Sequence, residues 1–274
     1  MTDKVDTASA PYFEGIYGMT ANPTRQVFMI GLVWRVALDL GGRGIDILEV
    51  GSWAGASALT WGQALEIHNE GRGALTCIDA WQPYYAQEEI PDDVSQEINA
   101  ALETNEPYQI FSDNMRFLPP GTDLRVRRGW STDILPSLAA ETYDIVYLDG
   151  DHCYAGISAD LDSGCRLVRD GGVICGDDLE LQGHQVDASI AAQRPKLDKQ
   201  RDEASGTVFH PGVTLAVAER FGEVSAWNGF WAMRKVADGW QRVNLRGMPA
   251  HFPNHLSPKN LMGLKAYLMQ HGLI

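Results

Sequence analysis

Short apolar runs rich in β-branched residues alternate with helical segments along the central part of this sequence. The β-like runs lie at 45–51, 73–81, 123–129, 143–151 and 171–178. Parallel strands need a long connection, which is usually a helix, so this alternation is typical of parallel sheets covered on both faces. The chain is therefore predicted to have an α/β fold: a doubly wound, Rossmann-like sheet that is mostly parallel.

The regular alternation breaks after Gly183 and then resumes. Residues 181–207 are polar and charged, which predicts an insertion or a lid. Residues 224–236 read as two strands joined through Asn228 and Gly229, and Asn-Gly is a strong hairpin signal. We therefore predict a sheet of seven strands, the last two forming an antiparallel hairpin at its edge.

Three regions follow from this pattern. Residues 1–43 are predicted to be an N-terminal helical extension, 44–237 the sheet domain that carries the insertion, and 238–274 a C-terminal helical tail. The tail is predicted to pack either on the body or on a second subunit, so the sequence leaves a homo-oligomer open.

Composition limits the classes of partner. The chain has 22 Lys and Arg against 36 Asp and Glu, a net charge of −14, which disfavours binding to a phosphate backbone. We expect no nucleic-acid partner. The N-terminus lacks the features of a secretory signal, and its most apolar early run is too short to span a bilayer. The four cysteines have no metal-ligand spacing, so buried thiols in a cytoplasmic, non-membrane protein are expected.

A glycine turn follows the first predicted strand. Gly51 and Gly55 let the backbone turn sharply, but Trp53 replaces the second glycine of the dinucleotide fingerprint. A bulky side chain there disfavours a pyrophosphate. Glu49 and Asp79 stand near the carboxyl ends of the first two strands, where a carboxylate suits ribose hydroxyls and a positively charged ligand group. An adenosine that carries a cation and no phosphates, S-adenosylmethionine, fits best.

Three more carboxylates follow the fourth and fifth predicted strands. Asp149, Asp177 and Asp178 are expected to converge on one edge of the sheet, where they would repel one another. A divalent cation resolves that conflict, and oxygen ligands of this kind favour Mg²⁺, with Mn²⁺ or Ca²⁺ as substitutes. Asp151 is the candidate general base, although an Asp at this place also caps a helix well, and His152 is the alternative base.

The motifs, taken in order, resemble those of class I S-adenosylmethionine-dependent methyltransferases. Within that class they are similar to the macrocin-type and cephalosporin-biosynthesis O-methyltransferase family, and they share features with catechol O-methyltransferase. The resemblance covers roughly Gly44 to Asp178 and is carried by the segments ILEVGSWAGAS, CIDAW, RRGWSTDILPSL, YDIVYLDGDHCYAG and LVRDGGVICGDDLE.

The resemblance implies a methyltransferase that acts on a hydroxyl of a small molecule, sugar-like or another secondary metabolite, with a metal held by Asp149, Asp177 and Asp178. The implied cofactor contacts are Glu49, Gly51, Ser52 and Gly55 at the methionine end, Ser57 just inside the following helix, Asp79 at the ribose, Gly129, Trp130 and Ser131 beside the adenine, and Asp149.

Two alternatives stay open, and the sequence departs from the family at two places. The alternatives are an NAD-dependent oxidoreductase and a non-catalytic subunit that keeps the fold. Leu179 stands where the family usually has an aromatic residue, and no Lys lies near Asp151 as in catechol O-methyltransferase. His184 and His210 fall in or after the predicted insertion and could reach the substrate, although most histidines at such places are solvated.

Overall fold

The computed structural model describes residues 9–19, 23–84, 93–187, 198–270 and 272. The part of the predicted lid at 188–197 lies outside these described residues. The described helices are α1 Ile16–Met19, α2 Pro23–Leu40, α3 Ala56–Asn69, α4 Asp93–Glu103, α5 Glu106–Asn114, α6 Ser131–Ile134, α7 Tyr154–Leu167, α8 Pro211–Phe221 and α9 Pro258–Gln270.

One large sheet forms the centre of the fold. The described strands are β1 Ile45–Val50, β2 Gly73–Asp79, β3 Thr122–Arg128, β4 Tyr143–Leu148, β5 Val168–Leu179, β6 Gln200–Arg201, β7 Val208–Phe209, β8 Ser225–Trp227, β9 Gly229–Val236 and β10 Gly239–Arg242. The sheet order is β10-β9-β5-β4-β1-β2-β3, with β8 also paired to β9. Strands β1 to β5 are parallel, and β9 is antiparallel to β5. The predicted doubly wound, mostly parallel sheet is confirmed.

The carboxyl ends of the parallel strands define the place where a ligand can bind. Strand β1 lies between β2 and β4, so the chain winds outward from β1 in both directions. In open α/β sheets, ligands bind in the crevice beside such a reversal of strand order. The strand ends that bear Gly51, Asp79 and Asp149 all lie at this edge.

The edge of the sheet differs from the prediction by one strand. Asn228 and Gly229 have φ of 54° and 93° and join β8 to β9, as expected for a hairpin turn of this type. Strand β10 adds to the same side of β9, opposite Met233–Val236. The large sheet therefore has eight described strands, because one long strand is covered by two short ones.

Helix α7 ends earlier than the glycine pair Gly171–Gly172 suggests. The sequence predicts a helix closed by those glycines, but α7 ends at Leu167 and β5 already begins at Val168. The register of β5 against β4 shifts between Tyr143 and Ile145, so the glycines lie in a bulged part of the strand. Gly171 has φ of 77°, which shows that the pair serves a bulge in a strand rather than a helix stop.

Two apolar layers enclose the sheet. Helices α2 and α3 pack on one face, and α7 and α8 pack on the other. Ile30, Leu32 and Val33 of α2 are fully buried, so this helix of the predicted extension packs into the same core. Leu264 and Leu268 of α9 pack against Val27 of α2, which places the tail on the body. Among the described residues, no helix is both long and apolar enough to cross a membrane.

Candidate active site

The glycine turn after β1 is shaped by backbone conformation and by close packing. Gly51 and Gly55 have φ of 87° and 90°, a region that side-chain-bearing residues rarely adopt. A Cβ on Gly51 would collide with the backbone carbonyl of Asp149, and one on Gly55 would lie 2.5 Å from Cε of Met115. Both glycines are therefore needed for the fold of the turn itself, whatever ligand lies against it.

Glu49 lies beneath the turn. Its side chain is fully buried, and the Ser52 hydroxyl donates a hydrogen bond of 2.7 Å to its Oε2. Burial raises the pKa of Glu49 to about 7. The structure therefore places Glu49 and Ser52 as supports of the turn, while Ser57, half-buried in the first turn of α3, lies just beyond it.

Asp79 connects the ends of β1 and β2. Its Oδ2 accepts a hydrogen bond of 2.9 Å from the backbone N–H of Trp53, and its Oδ1 accepts one of 2.7 Å from that of Trp81. The indole of Trp81 donates to the carbonyl of Trp53 at 2.8 Å. Both tryptophans have φ of 44°, so the carboxylate stabilises two strained turns at once.

The predicted adenine-side residues follow β3. The backbone N–H of Gly129 donates to the carbonyl of Asp79 at 2.9 Å, so the two predicted positions are neighbours. Trp130 is 42% exposed and Ser131 begins α6. Asp160 of α7 carries no sequence signal, but its side chain is buried nearby, with Oδ2 3.6 Å from the position of a Cβ on Gly150. Burial raises the pKa of Asp160 to about 6.

Asp149, His152 and Asp178 meet at the ends of β4 and β5. Nε2 of His152 lies 3.0 Å from Oδ2 of Asp178 and 3.7 Å from Oδ1 of Asp149. One potential ligand atom from each of the three side chains falls within 4.8 Å of the others. The Tyr147 hydroxyl donates to Oδ2 of Asp149 at 2.9 Å and fixes that carboxylate from the strand side. Two of the three predicted metal ligands are thus brought together.

Asp177, the third predicted metal ligand, is held by an arginine that the sequence analysis did not consider. Nη1 of Arg25 lies 2.7 Å from Asp177 and 2.8 Å from Asp178, and its Nη2 lies 2.7 Å from Glu180. The Arg25 side chain is only 13% exposed. One signal could have found it: a cation in the first turn of α2 opposes the helix macrodipole, which suggests an acidic partner elsewhere.

His210 is buried in the cluster rather than solvated. It is 6% exposed, its Nδ1 lies 3.1 Å from Oε2 of Glu180, and its ring centroid lies 4.8 Å from that of His152. The predicted insertion also reaches the site, since Oδ1 of Asp198 lies 2.8 Å from Nδ1 of His152. His184, by contrast, is exposed as expected.

Asp151 faces the start of α7. Its Oδ1 accepts a hydrogen bond of 2.8 Å from the backbone N–H of Cys153, and its side chain would collide with a Cβ on Gly156. This is a turn ahead of the helix rather than the N-cap role that the sequence left open, since the N-cap residue of α7 is Cys153, which makes no side-chain capping hydrogen bond. The Asp151 side chain is exposed to solvent.

The cluster carries an excess of negative charge. Its carboxylates are Asp149, Asp177, Asp178, Glu180 and Asp198, and Arg25 is the permanent cation that contacts three of them. Burial, together with neighbouring carboxylates, raises the pKa of Asp177 well above its usual range. Although burial alone would raise it, the pKa of Asp178 is held well below its usual range by His152 and Arg25. The electrostatics of the site favour a further cation.

Comparison with known proteins identifies the class. Residues 48–179 match the family model described as a methyltransferase domain, a segment that contains the glycine turn, Asp79 and the carboxylates Asp149, Asp177 and Asp178. The O-methyltransferase NovP has the same fold, with a TM-score of 0.51, 16% identity, and coverage of 77% of this chain and 80% of NovP. The protein is therefore a methyltransferase, and the resemblance to class I methyltransferases is confirmed.

Other solved structures are more distant in shape. CalS11, a TDP-rhamnose 3′-O-methyltransferase of calicheamicin biosynthesis, aligns with a TM-score of 0.42 and 15% identity over 76% of this chain and 78% of its own. An O-methyltransferase from Bacillus cereus in complex with SAH aligns with a TM-score of 0.43 and 16% identity over 82% and 84%. Among curated proteins, none matches this sequence. The match to a methyltransferase domain favours neither the oxidoreductase nor the non-catalytic alternative.

Proposed function

We propose that this protein transfers the methyl group of S-adenosylmethionine to a hydroxyl of a small molecule, with assistance from a divalent cation. The observation that carries the proposal is the meeting of Asp149, His152 and Asp178 within 4.8 Å, beside the glycine turn of a methyltransferase domain. The net charge of −14 supports a small, sugar-like or other hydroxylated acceptor over nucleic acid.

The strand ends suit the proposed methyl donor. Each oxygen of Asp79 holds one backbone N–H, which leaves further lone pairs for the two ribose hydroxyls. The exposed indole of Trp130 offers a flat apolar surface for the adenine at the neighbouring strand end. Gly51 has no side chain, so the methionine end of the donor could lie close to its backbone. Glu49 and Ser52 support this turn through their hydrogen bond.

The acidic cluster supports binding of the acceptor and removal of its proton. When bound, a divalent cation lowers the pKa of a hydroxyl and orients it. Asp149, Asp177 and Asp178 are the proposed carboxylate ligands, and in this structure Arg25 holds Asp177 and Asp178 in place. As the acceptor oxygen bonds to the methyl carbon and the carbon–sulfur bond breaks, the hydroxyl proton passes to Asp151, an exposed carboxylate two residues after Asp149.

Titration calorimetry with S-adenosylmethionine tests the donor site. We expect micromolar binding that weakens at least about tenfold in Asp79→Asn, because one lost charge-assisted pair of hydrogen bonds costs on the order of 1.5–3 kcal/mol. Asp133→Asn, an exposed carboxylate in α6, is the matched control and should bind normally. Absence of any binding by the wild-type protein would remove the proposed function.

Transfer of a labelled methyl group to a panel of sugars and other hydroxylated metabolites tests the reaction. Asp151→Asn should abolish methyl transfer and leave binding of S-adenosylmethionine intact. Full activity of this variant would show that a group other than Asp151 accepts the proton. Activity that is undiminished by EDTA would show that methyl transfer does not depend on a divalent cation.

A further inference from the structure

We propose that His152, Asp198 and His210 form a metal site with two imidazole nitrogens and one carboxylate, and that it binds a first-row transition metal in preference to Mg²⁺. The site is separate from the cation position proposed at Asp149, Asp177 and Asp178, so the inference goes beyond the proposed function. The all-carboxylate set that the family resemblance implies contains none of these three residues.

The three side chains converge from three separate segments of the chain. His152 follows β4, Asp198 belongs to the predicted insertion, and His210 immediately precedes α8. One potential ligand atom from each lies within 4.8 Å of the other two. Nδ1 of His152 and Oδ1 of Asp198 lie 2.8 Å apart, so a metal ion with bonds of about 2.0–2.2 Å would take the place of that hydrogen bond.

Each imidazole has a carboxylate on the nitrogen that faces away from the proposed metal. Nε2 of His152 lies 3.0 Å from Asp178, which leaves Nδ1 facing Asp198 at 2.8 Å. Nδ1 of His210 lies 3.1 Å from Glu180. In proteins, a metal-binding histidine almost always donates its other ring N–H to such a partner, which fixes the tautomer and the ring orientation.

The second ring nitrogen of His210 indicates a ligand independently of the distances within the cluster. Its Nε2 is buried and has no hydrogen-bond partner among the residues that the structure describes, and His210 is only 6% exposed. Leaving a buried polar nitrogen without a partner costs about 1–3 kcal/mol, so a bound group that interacts with this nitrogen is expected. With Nδ1 directed to Glu180, this Nε2 is the atom available to a metal ion.

Arg25 holds the carboxylates that contact the two histidines. It contacts Asp178 and Glu180, the two carboxylates that orient the histidines, through Nη1 and Nη2. One fixed cation therefore positions both carboxylates and partly offsets their charge, and Asp198 lies outside those ion pairs. Two imidazoles and one carboxylate with open positions suit Fe²⁺, Co²⁺, Zn²⁺ or Mn²⁺, whereas Mg²⁺ prefers oxygen ligands.

Metal binding to the full-length protein, stripped with a chelator, tests the site without methyl transfer. We expect one Co²⁺ per chain with visible absorption bands, displaced by Zn²⁺ and not by millimolar Mg²⁺. Pulsed EPR of the Mn²⁺-loaded protein should show coupling to ¹⁴N. Mn²⁺ without nitrogen coupling, or no transition-metal binding at all, would overturn the proposal.

Variants locate the site. His152→Gln, His210→Gln and Asp198→Asn should each weaken Co²⁺ binding at least tenfold, and Glu180→Gln should weaken it about 10- to 100-fold through the orientation of His210. Asp198→Asn is half-buried in the insertion, so it keeps the test valid if a histidine variant fails to fold. His184→Gln, an exposed histidine, is the matched control. Normal Co²⁺ affinity in all three ligand variants would also overturn the proposal.

The two proposals fail separately. If the cation binds only at Asp149, Asp177 and Asp178, methyl transfer stays metal-dependent while the nitrogen coupling is absent. If the proposed function is wrong, S-adenosylmethionine does not bind, but Co²⁺ binding and its loss in the histidine variants persist.

Discussion

Asp160 shows how a single buried charge changes stability with pH. Its pKa is raised to about 6 because burial disfavours the charged form. The folded state therefore holds this proton more tightly than the unfolded state, whose carboxyl titrates at about 4. Stability is lost as the pH rises from about 4 through 6, and the cost of the charged form is fully present at pH 8.

Asp160→Asn should therefore stabilise the protein, and more at pH 8 than at pH 5. A shift of about two pKa units corresponds to about 3 kcal/mol in the free energy of unfolding at pH 8, and to roughly half of that at pH 5. Urea unfolding at both pH values measures the difference. Asp162→Asn on the same helix, with a side chain that is 75% exposed, should change stability little at either pH. An equal gain at both pH values would argue against a raised pKa of Asp160.

At the level of elements, the turn between β1 and α3 depends on the approach of β4. Gly51 combines φ of 87° with backbone contact to Asp149, so the turn and the first residue of the acidic cluster are packed against each other. Gly171, in the bulge of β5, has a similar φ of 77° but open space where a Cβ would point. Substitution of Gly171 therefore measures the cost of the backbone conformation alone, whereas substitution of Gly51 adds the cost of a steric collision.

Gly171→Ala should lower the free energy of unfolding by about 1–2 kcal/mol, the cost of a left-handed conformation alone. Gly51→Ala should lower it by more than about 3 kcal/mol, because β1 and β4 must also move apart. Thermal and urea unfolding of both variants provide the comparison. Similar losses in the two variants would show that Gly51 does not pack against Asp149 in this way.

At the scale of the whole molecule, the C-terminal tail supports the helix that brings Arg25 into the site. Leu268 of α9 is fully buried and packs with Leu264 against Val27, two residues after Arg25 in α2. Met269, the next residue of α9, is 70% exposed. The tail therefore has one face on the body and another in solvent.

Leu268→Ala should cost about 2–5 kcal/mol of unfolding free energy, as expected for a buried leucine that leaves a cavity. Met269→Ala should change it by less than about 0.5 kcal/mol. Equal effects of the two substitutions would mean that the tail packs differently from this structure, for instance on a second subunit.

The sequence by itself determined the features that depend on local pattern and chain order. The alternation of strands and helices predicted the doubly wound sheet, Asn228 and Gly229 predicted the hairpin, and the strand ends predicted the places of Asp79 and Asp149. These predictions succeed because hydrophobic periodicity, turn conformation and the carboxyl ends of parallel strands are all encoded within a few residues.

Only the tertiary structure decided which distant side chains meet. Arg25 reaches Asp178 across more than 150 positions of sequence, and His210 and Asp198 reach the same cluster from beyond β5. Periodicity carries no information about such pairs, because the packing of α2, α8 and the insertion on the sheet sets their distances. The neutralisation of the carboxylates, and the nitrogen donors beside them, are consequences of that packing.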